Sequence, residues 1–397
     1  MHQRILSAAL LLPLLAAAPA QGQELRIGFL ATLSGSGGIL GQEQLNGFRI
    51  GLAHEGWKQD GDKVAGVPTK LFVADDQQKT DIGLRETQRL IQSEKVQVFA
   101  GFTFSNVLMA VQKTMVDSER VMLASLAAAS PMAGAACSVF YTATSAQTSQ
   151  WGETVGKLMT DDGVKRVFAM APNYQAGKDT IAGFRRFYTG GTVVGETLFK
   201  LGENDFQAEI SRLRAENPDA VYIFAPGAMG ISFIKQWAAS GAGKTIRVYT
   251  VGVMDELTLP AMGNAAAGTV YTTNWDSGSA NAVNRTFIKD YAAQFGRKPS
   301  FYAAQAYDSA RLLAAAVRKV GGKVDEALAL ARAVRRTPFP SVRDRFKLNV
   351  NGIPIQSWFK AQVALGPDGK AELLIAQAIV HELMDSYWSE CPQARRY

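Results

Sequence analysis

Val96-Gln97-Val98-Phe99-Ala100-Gly101-Phe102-Thr103-Phe104-Ser105-Asn106 is the stretch on which the reading of this chain turns. Its first five residues are largely apolar and β-prone, as in a short buried strand. Gly101 breaks the run, and the apolar segment over 107–115 reads as helix. Strand, small-residue turn and helix start, in that order, leave free backbone N–H groups at the carboxyl end of the strand. Phe102 and Phe104 bring rings to this turn, and Thr103 and Ser105 bring hydroxyls. Such a turn suits a small anionic or aromatic ligand; the competing reading is a core-packing turn capped by Ser105.

The same rhythm extends to both sides. Strands are predicted over 25–31, 69–74 and 121–125, with helices over 45–55 and 81–92 between them. After Cys137 and a short apolar stretch over 139–143, a polar Thr/Ser/Gln segment runs to Gln150, and the alternation restarts. Strands over 167–171, 192–199, 220–225 and 246–251 alternate with helices over 177–187, 206–215 and 229–239. A strand over 268–275 and helices over 282–295, 303–320 and 325–334 follow. The ending changes character: antiparallel strands over 345–350, 358–363 and 371–379 are separated by Asn351-Gly352 and Gly366-Pro367-Asp368-Gly369 turns. The fold class is therefore α/β, with two doubly wound Rossmann-like lobes joined by a multi-strand hinge. Residues 21–143 and 254–336 are assigned to the first lobe, and 144–253 and 337–397, with the C-terminal strands and tail, to the second.

At 397 residues the chain is long enough for two domains. Hydrophobic residues make up 47% and charged residues 19%, an ordinary globular balance. The net charge of +7 is dispersed, its densest clusters being Arg335-Arg336 and Arg395-Arg396. No basic stripe interleaved with aromatics points to nucleic acid. The N-terminus reads as a signal peptide over 1–20: a weakly positive start, an apolar run too short to span a bilayer, and Ala18-Pro19-Ala20 as a small-x-small cleavage site. The mature chain would begin at Gln21, soluble and exported. In an oxidising compartment the two cysteines, Cys137 and Cys391, would most simply pair, tying the tail to the first third of the chain; two buried thiols are the alternative.

The usual catalytic kits are missing. The mature chain holds two histidines, His54 and His381, in different predicted elements. No spacing of His or Cys suggests a metal, and no Gly-x-Ser-x-Gly elbow occurs. Gly241-Ala242-Gly243-Lys244-Thr245 resembles the end of a phosphate loop, but Ala238 stands where that pattern needs glycine. Asp75 and Asp76 are adjacent at a strand end, where their side chains diverge, and read as turn-formers. No enzyme activity, cofactor or metal is expected.

Several short motifs, in order, give the chain a family likeness. They are Ile27-Gly28-Phe29, Gly41-Gln42, Val73-Ala74-Asp75-Asp76-Gln77, the Ala100-Gly101 turn, Ala124-Ser125 leading to Pro131, Asp205-Phe206-Gln207, and the segment from Tyr302 to Leu313. With these the sequence resembles a periplasmic solute-binding protein of an ABC importer. The family is the branched-chain amino acid (leucine/isoleucine/valine-type) binding one, with the type I periplasmic-binding-protein fold. The resemblance implies a cleft that closes on one small solute, delivered to membrane permease subunits by what is expected to be a monomer. It also implies a grip on the ligand carboxylate near Phe102-Thr103 and Ala127-Ala128-Ala129.

The acid that commonly holds an amino acid's ammonium would fall at Gly252 or Val253, with Asp255 just past it. Its lack argues against a free α-amino acid, because an amine in a dry cleft needs a carboxylate. The resemblance is closest to the branch that binds benzoate- or cinnamate-like acids. The expected ligand residues are Gln42, Phe102, Thr103, Phe104, Ser105, Ser125, Ala128, Tyr174, Met229 and Met254. On this reading Phe102→Ala weakens ligand binding far more than it lowers stability. The alternatives are binding of branched-chain or other hydrophobic amino acids or short amides, or a ligand-sensing regulator of the same fold.

Overall fold

Buried apolar strands followed by amphipathic helices can cover both faces of a sheet only by crossing over it, and this chain does so twice. A computed structural model describes residues 23–396. The expected signal peptide over 1–20, and the mature start at Gln21, lie outside them. The first sheet takes β1 (Leu25–Ala31), β2 (Lys63–Val64), β3 (Val67–Asp75), β4 (Val98–Gly101), β5 (Val121–Ala124) and β6 (Tyr141–Ala143). Their order is β2-β3-β1-β4-β5-β6, parallel except for the β2–β3 hairpin. Helices α1 (Gly38–Ala53), α2 (Thr80–Gln92), α3 (Ser105–Asp117) and the short α4 (Ser130–Ala133) connect these strands.

The chain then enters the second lobe through α5 (Thr148–Asp161). Strand β7 (Arg166–Pro172), helix α6 (Gln175–Phe187), β8 (Thr192–Phe199), α7 (Gln207–Glu216), β9 (Ala220–Phe224), α8 (Ala228–Ser240) and β10 (Arg247–Val251) repeat the winding. After α9 (Leu259–Met262), β11 (Val270–Thr273) pairs in parallel with β10. Strand β11 therefore belongs to the second sheet, which corrects the first-lobe boundary drawn at 254. The physical reason is the ladder itself: β11 has β10 on one side and an antiparallel partner on the other.

Helices α10 (Ala282–Phe295), α11 (Phe301–Lys319) and α12 (Ala327–Arg336) return to the first lobe, where α11 lies along α1. Strands β12 (Lys347–Leu348), β13 (Pro354–Leu365) and β14 (Ala371–Leu383) close the second sheet, of order β12-β13-β11-β10-β9-β7-β8 with β14 on β13. In both lobes the first strand of the winding lies between the second and third, the arrangement whose switch point opens a crevice at the strands' carboxyl ends.

Three segments cross between lobes, after β6, after β11 and after α12. At the last, the buried Arg343 donates to Asp308 of α11 at 2.8 Å and to Gln356 of β13 at 2.8 Å. The tail after β14 goes back to the first lobe, where Cys391 is bonded to Cys137 across 254 residues. In the chain-entropy view a loop of that length stabilises by up to roughly 5 kcal/mol. The tail thus belongs to both lobes rather than to the second alone. Among the described residues no helix is long and apolar enough to cross a membrane.

Candidate functional site

The β4–α3 turn is built by its backbone. Gly101 has φ +102°, and a Cβ there would stand 2.6 Å from the Leu30 carbonyl oxygen, so only glycine fits. Phe102 follows with φ +63°, a left-handed conformation that a bulky residue holds only when its surroundings impose it. Its N–H donates to Leu30 O at 2.7 Å and its carbonyl accepts from Ala127 N at 2.9 Å. Helix α5 is positioned by contact with α6: a Cβ on Gly152 would lie 1.8 Å from Thr180 O, so the two backbones touch.

Between the lobes lies a cavity of about 370 Å³, its mouth included. The first lobe lines it with Leu40, Thr103, Phe104, Ser105, Leu126 and Ala127. Across it stand Thr148, Trp151, Tyr174, Ala176, Phe224 and Pro226, and Tyr302 of α11 completes the wall. Trp151 packs edge-on to Phe224 and Phe301, with ring centres at 6.0 and 5.7 Å. Phe104 and Tyr174 face one another across the lobes at 6.1 Å.

None of these lining residues is an acid or a base. The polar character comes from elsewhere. Ser105 opens α3, Thr148 opens α5, and Ala176 lies in the first turn of α6, so three helix N-termini border the cavity. The N-caps of α3 and α6 carry no side-chain hydrogen bond. The aligned peptide dipoles of these helices favour an anion at their N-terminal ends. Burial pushes the Tyr302 and Tyr174 phenols well above their ordinary pKa, so both stay protonated, and Tyr174 is able to donate to a guest. The Asp255 and Asp179 carboxylates, respectively, add to those shifts. Tyr302 already donates to Gly252 O at 3.0 Å.

The lobes are closed on each other directly. Ala176 N–H donates to Ser105 Oγ at 3.0 Å. The Asp179 carboxylate of α6 accepts from Ser130 N at 2.8 Å and Ser130 Oγ at 2.6 Å. Accepting from Ala176 leaves the Ser105 hydroxyl proton available to a guest.

Of the residues expected from sequence, Thr103, Phe104, Ser105 and Tyr174 line this cavity. The Thr103 hydroxyl also serves the frame, donating to Gln44 Oε1 at 2.8 Å and accepting from Thr32 N at 3.0 Å. The others lie elsewhere. The Phe102 ring is fully buried in the first-lobe core, because the left-handed turn swings it inward, away from the cleft. Ser125 is buried, accepting from Gln44 Nε2 at 2.8 Å. Ala128 is buried beside the lining Ala127, its carbonyl taken by Thr148. Gln42 is exposed and does not line the cavity, since α1 starts early enough to present Leu40 instead.

Met229 packs in the second-lobe core, its sulfur accepting from Gly202 N at 3.3 Å, and Met254 lines a different cavity. Trp151 and Thr148 were missed because 144–150 reads as a polar connection. The signal was present: Gln147 and Gln150 form a reciprocal cap, and Trp151, Val155, Leu158 and Met159 follow at helical spacing.

Residues 24–370 match the model of a family described as periplasmic binding protein. A curated relative, Leu/Ile/Val-binding protein homolog 6 of Brucella melitensis, is 28% identical over 363 residues, covering 89% of this chain and 91% of its own. A solute-binding protein of an ABC transporter from R. palustris, solved in complex with benzoate, superposes with TM-score 0.85 at 28% identity, covering 92% of this chain and 99% of that one. A second, from Rhodopseudomonas palustris BisB5 in complex with 3,4-dihydroxybenzoic acid, gives TM-score 0.84 at 27% identity over 91% and 99%. The chain, with its two doubly wound lobes and three-segment hinge, belongs to the periplasmic binding protein family.

Proposed function

We propose that this protein is the substrate-binding component of an ABC importer, taking a small aromatic carboxylate of the benzoate or cinnamate class into the inter-lobe cavity and releasing it unchanged. The observation that carries this reading is the character of the cavity: aromatic walls, no acidic or basic lining residue, and three helix N-termini at its border. A flat ring stacks on such walls, and a carboxylate is met by helix N-termini, the Ser105 hydroxyl and the Tyr174 phenol in a water-poor setting. Solved relatives bound to benzoate and 3,4-dihydroxybenzoic acid support the same ligand class. The ligand contacts are assigned to Thr103, Phe104, Ser105 and Tyr174, joined by Trp151 and Tyr302.

On this reading the protein is exported through cleavage of residues 1–20, works in the periplasm as a monomer, and is read in its closed form by permease subunits. It carries out no reaction on its ligand. The second reading, a branched-chain amino acid, is favoured by the Leu/Ile/Val-binding relatives, but the cavity offers no carboxylate to an ammonium group. Calorimetry on residues 21–397 with benzoate, 4-hydroxybenzoate and leucine separates them. Saturable binding of an aromatic acid is expected; binding of leucine with neither acid bound would reject the assignment.

A further inference from the structure

Asp255, in the loop after β10, is buried and lacks a basic partner among the described residues. Its Oδ1 accepts from Leu257 N at 2.9 Å, Thr258 N at 2.8 Å and Thr258 Oγ1 at 2.9 Å. Its Oδ2 is buried with no hydrogen-bond partner at all. Neighbouring carboxylates are treated differently. Glu43 is engaged by Arg297, by the Tyr291 hydroxyl at 2.7 Å and by Ser300 N at 2.9 Å. Glu256 has only a loose contact, 3.9 Å, with the exposed Lys298. A buried carboxylate with half its acceptor capacity idle is costly unless a cation meets it.

Asp255 and Glu256 line an open-mouthed cleft of about 320 Å³, its mouth included, that shares no lining residue with the inter-lobe site. Met254, Tyr271, Trp275 and Phe301 furnish its walls, and no Lys or Arg lines it. The Trp275 indole N–H is spent on Asn284 Oδ1 at 2.8 Å, so this ring offers the cavity its apolar and π surface. Two carboxylates with aromatic faces make the surroundings in which an organic ammonium is held, by charge and by cation–π attraction together. Among the described residues no group of three carboxylate, His or Cys ligands could hold a metal, which favours an organic cation.

We propose that this cavity is a second binding site, taking a protonated primary amine with an apolar body, whose ammonium pairs with Asp255 and Glu256 while the body lies against Tyr271, Trp275 and Phe301. The site shares no lining residue with the one assigned to aromatic acids, and its failure leaves that assignment standing. The probe is benzylamine, with benzyl alcohol as its uncharged counterpart, titrated calorimetrically into the full mature chain. Saturable binding of benzylamine but not of benzyl alcohol is expected, and it should persist in saturating benzoate. Asp255→Asn, which keeps the Thr258 contacts, should weaken it by on the order of tenfold or more, and so should Glu256→Gln.

Should D255N fail to show a cooperative melt, E256Q at the partly exposed position carries the comparison. The proposal is overturned by no heat at millimolar benzylamine, by equal binding of the alcohol, by competition with benzoate, or by unchanged affinity in a folded carboxamide variant.

Discussion

Asp179 bridges the two lobes, and removing its carboxylate tests how much this latch contributes to closure. In the closed form it accepts two hydrogen bonds from Ser130 on the opposite lobe, at 2.8 and 2.6 Å, and one from Gln175 on its own helix. Bonds to a charged acceptor contribute about 1.5–3 kcal/mol each. Burial opposes this, raising the Asp179 pKa while the Ser130 bonds pull it back. A net contribution of about 1–3 kcal/mol to the closed state is a fair working figure for the two cross-lobe bonds.

Asp179→Ala should shift the open–closed balance by that amount, and because apparent affinity scales with the fraction able to close, benzoate binding should weaken by up to about 5- to 150-fold, the full factor applying where the closed form is the minority. The Ser105–Ala176 bond remains, so closure is weakened and not abolished. Calorimetry reads the affinity, and small-angle scattering of the ligand-free protein reads the radius of gyration, which should grow. If D179A binds benzoate as tightly as the parent and its ligand-free scattering is superimposable, the lobes are not latched here and the reasoning fails.

Three further outcomes are expected. Tyr174→Ala, at a partly exposed ring facing Phe104 across the cleft, should cost benzoate about 1.5–3 kcal/mol, roughly 10- to 150-fold, with little change in melting temperature; equal losses of both would make it a packing residue. Phe102→Ala should do the reverse of the sequence-based expectation. Its ring is fully buried in the first-lobe core, so truncation should lower stability by about 3–5 kcal/mol in denaturant titration, leaving binding by the folded fraction largely intact.

The third concerns pH. Burial raises the Asp255 pKa from 3.8 to about 7, so folding takes up a proton, and the stability this gives is complete below pH 4 and lost as pH rises through 7. Asp76 and Asp385, both raised to about 6 by burial, act in the same direction. Asp255→Asn should remove its share, up to roughly 4 kcal/mol between pH 4 and 8.5, and so be the more stable protein at high pH. Parallel stability–pH curves for parent and variant would show that Asp255 does not titrate with folding.

The alternation of apolar strands with amphipathic helices determined the two layered lobes, because that pattern is a local property of the chain. The strand over 25–31 and the helix over 282–295 appear where the residues put them. The pairing of Cys137 with Cys391 was legible because the apolar leader implied an oxidising compartment and only two cysteines were on offer. The Thr103-Phe104-Ser105 turn was legible as a cleft element because a strand's carboxyl end at a switch point is where such crevices open.

What lines the cavity was decided by tertiary structure. Leu40, Trp151, Phe224 and Tyr302 come together from four elements spread over more than half the chain, and no local pattern marks them as neighbours. Phe102 carries the same ring as Phe104 two residues away, yet one faces the core and the other the cleft. The deciding angle is the left-handed φ at Phe102, imposed by its bonds to Leu30 and Ala127, residues that only the assembled lobe brings within reach.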